Sequence, residues 1–334
     1  MTDHAECNGA QILLNCLENE DVDYIFGLPG EQTVPILHEF EDADIEFVVS
    51  RHEQGAAFMA DVYGRLTGKA GVCLSTLGPG ATNLLTGVTD AQLDGAPVVA
   101  LTSQRSQDEL HKQSHQYIDV TTVFQEVTKW NETVRAPETI PEIVRKAFSV
   151  AESEKPGATH IELPEDVTME EAAVEPLSKE GPSQSGSRPS DIEGVIDQLQ
   201  AAENPIILAG NEVIRAEGAE QLTAFAEATG IPVVTTFMGK GAISARHNLS
   251  VGTIGFQEED YSLCGLEGAD TVLVVGMDYI EYDPANWNED KDKDIVYLGS
   301  NPPEIDSYYQ TEQVLTGDVA RLLEQLVEAA EDVR

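Results

Sequence analysis

Apolar runs of strand length alternate along this chain with longer stretches in which apolar residues return every three or four positions. In the first half the strand-like runs are YIFGL (24–28), IEFVVS (45–50), GVCLSTL (71–77), PVVALTS (97–103) and ATHIELP (158–164). Helical spacing occupies segments such as 8–19, 51–67 and 140–152; in the second of these, Ala56, Met59, Ala60 and Tyr63 share one face. Strands that alternate with helices imply crossover connections and a mainly parallel sheet. Residues 171–190 lose this periodicity and gain Pro, Gly and Ser, as an interdomain linker does. The rhythm then resumes. DIEGVIDQLQAA, AEQLTAFAEATG (closed by Gly230) and DVARLLEQLVEAAEDVR read as helices, and NPIILAG, IPVVTTF, DTVLVVG and DIVYLG as strands. The expected fold is α/β: two doubly wound, mainly parallel-sheet domains, residues 1–170 and 191–334, joined by the linker.

Ligands of open parallel sheets collect at the carboxyl ends of the strands. Three strand ends of the first domain carry distinctive loops: FGLPG (26–30), SRHE (50–53) and LGPGATN (77–83). Each glycine-rich loop alone is equally a tight strand-to-helix turn; three at one sheet edge suggest a site. Glu53 has two readings. Ser50 and Glu53 form the S-x-x-E pattern of a capping box, and the same carboxylate stands where a ligand would lie. No phosphate-loop pattern or G-x-G-x-x-G after a strand occurs. ILAGNEVIRAEGAEQL looks like a strand-to-helix nucleotide crevice, but its glycines are sparse. The seven histidines form no ligand set. His52 is adjacent to Glu53 and so cannot share its helix face, and HKQSHQ (111–116) reads by spacing as a surface loop. No metal site is expected within the chain.

Composition sharpens the picture in one respect. Sixty Asp and Glu stand against 19 Lys and Arg, a net charge of −41 over 334 residues. Such a chain is unsuited to nucleic acid or anionic lipid. Its acids are dispersed among apolar positions, which points to a folded acidic surface whose self-repulsion salt would screen; a salt-rich cytoplasm is the expected setting. No apolar run reaches the roughly 18 residues of a membrane span, and the N-terminus carries no basic start or apolar signal core. Cys7, Cys16, Cys73 and Cys264 show no paired spacing and read as free thiols.

Taken in order, FGLPG, RHEQGAAFMADVYGRLTG, LGPGATNLLTG, DGAPVVALT, HQ and TKWN resemble the thiamine-diphosphate enzymes, and most closely the acetolactate synthase large subunit and its catabolic relatives. PGATHIELPEDV resembles the family's pyrimidine-binding domain; GIPVVTTFMGKGAI, EYDPANWN and VLTGDVARLL resemble its Rossmann-like central domain. The family's third, diphosphate-binding domain is not expected here, because its G-D-G signature and following asparagines are absent; TGDV (316–319) is no substitute.

The resemblance implies a role for each loop. Glu53 would hydrogen-bond the aminopyrimidine ring of thiamine diphosphate and promote its imino tautomer. Pro29 and Gly30 match the loop beside the pyrimidine and the reacting centre; Pro79 and Asn83 match its pyrimidine contacts; Gln116 matches a glutamine on the substrate side. Glu31 departs from the small residue of the best-known synthases, which leaves open the choice of 2-oxo acid. The implied reaction is a carboligation: pyruvate loses CO2 and joins a second pyruvate, or 2-oxobutyrate, to give 2-acetolactate or its homologue. The alternatives are another 2-oxo-acid decarboxylase or carboligase, or a non-catalytic assembly subunit. The resemblance further implies Mg2+ bound through a diphosphate domain outside this chain, weak or absent FAD, and a homodimer or tetramer, with the diphosphate domain possibly on a separate polypeptide.

Overall fold

The computed structural model describes residues 6–179, 189–255 and 261–332. The chain divides into two compact units, Met1–Pro182 and Ser183–Arg334. Much of the expected linker, residues 180–188, lies outside the described residues, as do the last two residues of the expected C-terminal helix.

In the first unit the strands of the main sheet are β1 (Tyr24–Gly27), β2 (Glu46–Val49), β3 (Gly71–Ser75), β4 (Val98–Gln104), β5 (Trp130–Thr133) and β6 (Ala158–Pro164). All pair in parallel, in the order β2-β1-β3-β4-β6-β5. The major helices are α1 (Gly9–Asn19), α2 (Val34–Glu39), α3 (Glu53–Thr67), α4 (Pro79–Asp94), α5 (Val120–Phe124) and α6 (Ile140–Glu152). The central strands are continuously apolar because both their faces are covered. On one face α1 and α6 pack Ile12, Leu13, Leu17, Val144 and Phe148 against Val72, Leu74, Val99 and Leu101. On the other, small residues of α3 and α4 meet Cys73, Val98 and Ala100. Burial pushes the thiols of Cys16 and Cys73 up to about 12, which keeps them protonated. All four cysteines are free, as the sequence suggests.

The strand order reverses between β1 and β3: the chain passes outward from β1 to β2, then returns across β1 to β3. In an open parallel sheet this switch point leaves a crevice at the carboxyl edge. FGLPG, SRHE and LGPG leave the three adjacent strands β1, β2 and β3 at that edge, as the sequence reading requires.

In the second unit the strands β7 (Pro205–Ala209), β8 (Val233–Thr235), β9 (Ser250–Thr253), β10 (Thr271–Val275), β11 (Asp294–Gly299) and β12 (Thr311–Thr316) form a second parallel sheet, in the order β9-β8-β7-β10-β11-β12. Helices Pro189–Ala201, Ala219–Thr229 and Val319–Asp332 supply one apolar layer, through Val195, Leu222, Phe225, Leu322 and Leu326 among others. Gly230 closes its helix in the left-handed region at φ 75°, a place L side chains rarely adopt. Both sheets are doubly wound, so the expected fold class holds. Among the described residues no helix is long and apolar enough to cross a membrane.

Candidate active site

Glu53 opens α3, and the cap that precedes it is not the one the sequence suggests. His52 is the N-cap: its backbone is extended and its Nδ1 accepts from the N–H of Gln54 at 3.1 Å. Ser50 is buried at the end of β2, where its hydroxyl donates toward the carbonyl oxygens of Gly27 (3.1 Å) and His52 (3.0 Å). Ser50 thus ties two strand ends together, and no S-x-x-E capping box forms. Glu53 is the first helical residue, not the third, and its carboxylate accepts from no backbone N–H among the described residues.

That carboxylate is buried, with 7% of the residue exposed. Oε2 accepts from Nδ2 of Asn83 at 2.9 Å. Asn83 is presented by α4, which starts at Pro79, so residues 79–83 of the LGPGATN stretch are helix and not loop. Proline suits the first helical position, where its missing N–H is not needed. Gly78 precedes it at φ 51°, and a side chain there would collide with the carbonyl of Gln116. The helix starts of α3 and α4 therefore lie together over the switch point. Oε1 of Glu53 accepts no hydrogen bond among the described residues. Gly80 keeps that oxygen uncovered: a Cβ at position 80 would stand 3.5 Å from Oε1 and 2.8 Å from Cγ2 of Thr76.

Thr76 and Gln32 are site-forming residues that the sequence did not single out. Thr76 Oγ1 donates to Oε1 of buried Gln32 at 3.0 Å. Its side chain fills the space beside two glycines, since a Cβ on Gly30 would also come within 2.5 Å of Thr76 Cβ. One threonine thus sets the spacing of the GLPG and GPG segments. Gly30 is further held by a turn, with its N–H donating to Thr33 Oγ1 (2.9 Å) and its carbonyl accepting from the same hydroxyl (2.8 Å). Pro29, Pro79 and Glu31 are exposed along the rim. HKQSHQ is a surface loop as read, with Gln116 exposed at its end; the backbone of Gln116, at φ 57°, lies against Gly78. The only available signal for Thr76 was its place between a buried strand and G-P-G.

The second switch point, between β7 and β10, is closed by the chain itself. Glu281, half-buried, receives the N–H of Asn211 on both oxygens (3.1 and 3.0 Å) and the N–H of Asp278 on Oε1 (2.9 Å). The hydroxyl of Thr236 donates to Oε2. Burial raises the carboxyl above its ordinary value, and these hydrogen bonds oppose the rise. A side-chain carboxylate thus occupies the backbone donors that a nucleotide phosphate would need in the ILAGNEV crevice.

Known proteins agree with this architecture. Residues 7–123 match the N-terminal TPP binding domain of thiamine pyrophosphate enzymes, and residues 192–326 match the central domain of the same enzymes. The chain belongs to the thiamine pyrophosphate enzymes, which fits a two-sheet α/β chain with its glycine-rich crevice at the first switch point. It is 36% identical over 313 residues to the acetolactate synthase of Bacillus subtilis, covering 93% of this chain and 55% of that protein. It is 34% identical over 329 residues to the probable acetolactate synthase large subunit of Methanocaldococcus jannaschii, covering 96% and 56%. With acetolactate synthase isozyme 2 large subunit of Escherichia coli it shares 32% over 320 residues, covering 96% and 58%. The chain therefore spans little more than half the length of these relatives.

Proposed function

We propose that this chain supplies the pyrimidine-side half of a thiamine-diphosphate-dependent acetolactate synthase, which condenses two molecules of pyruvate, or pyruvate with 2-oxobutyrate, and releases CO2. The observation that carries this is the buried Glu53 carboxylate at the switch point, one oxygen fixed by Asn83 and the other uncommitted beneath Gly80. When bound, thiamine diphosphate supplies the electron sink for decarboxylation and carboligation. The chain's own part is to bind, orient and exchange a proton. Asn83 holds the Glu53 carboxylate in one orientation. The free oxygen then faces a ring nitrogen and shares a proton with it, which a carboxyl group does at hydrogen-bond distance. Gly80 and Gly30 let a flat ring approach the backbone, Pro29 and Pro79 stiffen the rim, and Gln116 stands on the substrate side.

The remaining expectations belong to the same reading. Among the described residues no group of three or more His, Cys, Asp or Glu could hold a metal ion. We place the diphosphate and its Mg2+ on a diphosphate-binding domain outside this chain, met across a homodimer or tetramer. We place flavin affinity low: the Glu281 carboxylate already holds the N–H groups of Asn211 and Asp278. The domain division 1–170, linker 171–190 and 191–334, and a salt-rich cytoplasm, are supported by the same sequence features as before. A role in branched-chain amino acid synthesis goes with the acetolactate synthase reading. The test is an assay of the full-length enzyme with thiamine diphosphate and Mg2+ against a panel of 2-oxo acids. The expected result is acetolactate from pyruvate by a colourless protein. Preference for an aromatic 2-oxo acid or glyoxylate, or tightly bound stoichiometric FAD, would overturn it.

A further inference from the structure

Strand β4 ends at a glutamine with no solvent exposure, Gln104. Its amide is fully committed. Oε1 accepts from the N–H of Arg105 at 3.0 Å, while Nε2 donates to the carbonyl oxygen of Ile118 at 3.1 Å and to Oε1 of Glu162 at 2.8 Å. Glu162 lies on the adjoining β6, and its Oε2 accepts from the hydroxyl of Thr133 on β5 at 2.7 Å. Arg105 and Ile118 are the two ends of the excursion that carries the exposed HKQSHQ segment. One buried amide therefore closes the neck of that excursion. Gln116 is two residues from the clamped carbonyl, in the left-handed region at φ 57°, with its backbone against Gly78. It is fixed between the neck and the G-P-G segment.

We propose that Gln104, braced by Glu162, is a positioning residue that sets Gln116 at the mouth of the switch-point crevice and so governs affinity for the 2-oxo acid. This rests on the reading of Gln116 as the substrate-side glutamine. Without the amide, the Ile118 carbonyl loses its buried donor and the neck loosens. Glu53 and Asn83, on α3 and α4, are bonded to each other and to neither Gln104 nor Glu162. The signature is a change in KM for the 2-oxo acid at unchanged cofactor affinity, which a general loss of packing would not give.

The test uses the full-length enzyme. Gln104→Met and Glu162→Leu keep volume and remove the hydrogen bonds. Each is expected to raise KM about three- to tenfold, the scale on which hydrogen bonds contribute net free energy, with the thiamine diphosphate Kd unchanged. Glu162→Gln, whose amide oxygen still accepts from Gln104, is expected to recover most of the loss caused by Glu162→Leu. Gln104→Met combined with Gln116→Ala should bind substrate no worse than Gln116→Ala alone, because the two act as one unit. Trypsin should cut after Lys112 faster in Gln104→Met, a readout independent of turnover. An unchanged KM in Gln116→Ala overturns the reading of Gln116 and the proposal with it. A raised KM there, with additive effects or none from Gln104→Met, overturns the clamp alone. Should Gln104→Met not fold, the pair Glu162→Leu and Glu162→Gln decides by the same criteria.

Discussion

A methyl group at position 80 would press on Thr76 at 2.8 Å and stand 3.5 Å from the free oxygen of Glu53. Helix propensity alone favours alanine over glycine by roughly 1 kcal/mol, which opposes the close contact. Gly80→Ala should therefore keep the fold yet weaken thiamine diphosphate binding about tenfold in the full-length enzyme; an unchanged Kd by cofactor titration would count against a ligand at Glu53. A second residue-scale prediction concerns His160. It is fully buried, with Nε2 2.8 Å from Thr102 Oγ1 and its ring stacked on Phe124 at 4.1 Å. Burial pushes its imidazolium from 6.5 down to about 3. Between those values the unfolded chain carries a proton that the folded one refuses, so His160 costs stability progressively as pH falls through that window. Against a glutamine variant, which has no such group, the native-minus-variant difference in denaturation midpoint should fall progressively from about pH 6.5 to about 3; parallel profiles would refute this. At this scale the sequence was legible in kind but not in detail. It offered Ser50 and Glu53 as cap partners because spacing cannot tell which residue starts the helix. The backbone turns one residue before Glu53, and the neighbouring His52 takes the cap.

Helices α3 and α4 meet through small residues, and their closeness brings Glu53 and Asn83 within hydrogen-bond reach. A Cβ on Gly87 would stand 2.6 Å from Ala57 Cβ and 2.9 Å from the backbone nitrogen of Phe58. Gly87→Val should force the helices apart, costing about 1–3 kcal/mol by overpacking, and should weaken cofactor binding although it lies a turn along α4 from Asn83. Loss of stability with cofactor affinity intact would show that helix spacing does not set the site. Most elements were readable because buried parallel strands are apolar throughout. Three strands of the parallel sheets that periodicity missed share a cause. Trp130–Thr133, Ser250–Thr253 and Thr311–Thr316 all lie at sheet edges, with little or nothing fully buried in each. An edge strand has one neighbour and less burial, so its sequence needs no apolar run. Helix α4 went unread for a different reason: PGATN looks like a turn until Pro79 is placed at its first helical position.

Across the whole molecule the dominant quantity is the net charge of −41. Exposed carboxylates repel one another, and screening weakens that repulsion within a Debye length that is about 3 Å at 1 M salt. The denaturation midpoint should rise steeply with KCl into the molar range; equal stability at low and multimolar KCl would remove the argument for a salt-rich setting. The same charge bears on the cofactor. It disfavours an anion on this chain alone, so what the chain contributes should be recognition of the nearly neutral pyrimidine and proton exchange through Glu53. The central claim is that Glu53 acts on a bound ring and does not hold the start of α3. Hydrogen–deuterium exchange at the thiazolium carbon of thiamine diphosphate, bound to the full-length enzyme, tests it most directly when Glu53→Gln is compared with the native protein. An amide keeps the shape of the side chain but cannot share the proton, so exchange should fall by orders of magnitude while the melting temperature holds. Native exchange rates in a destabilised Glu53→Gln protein would contradict the account.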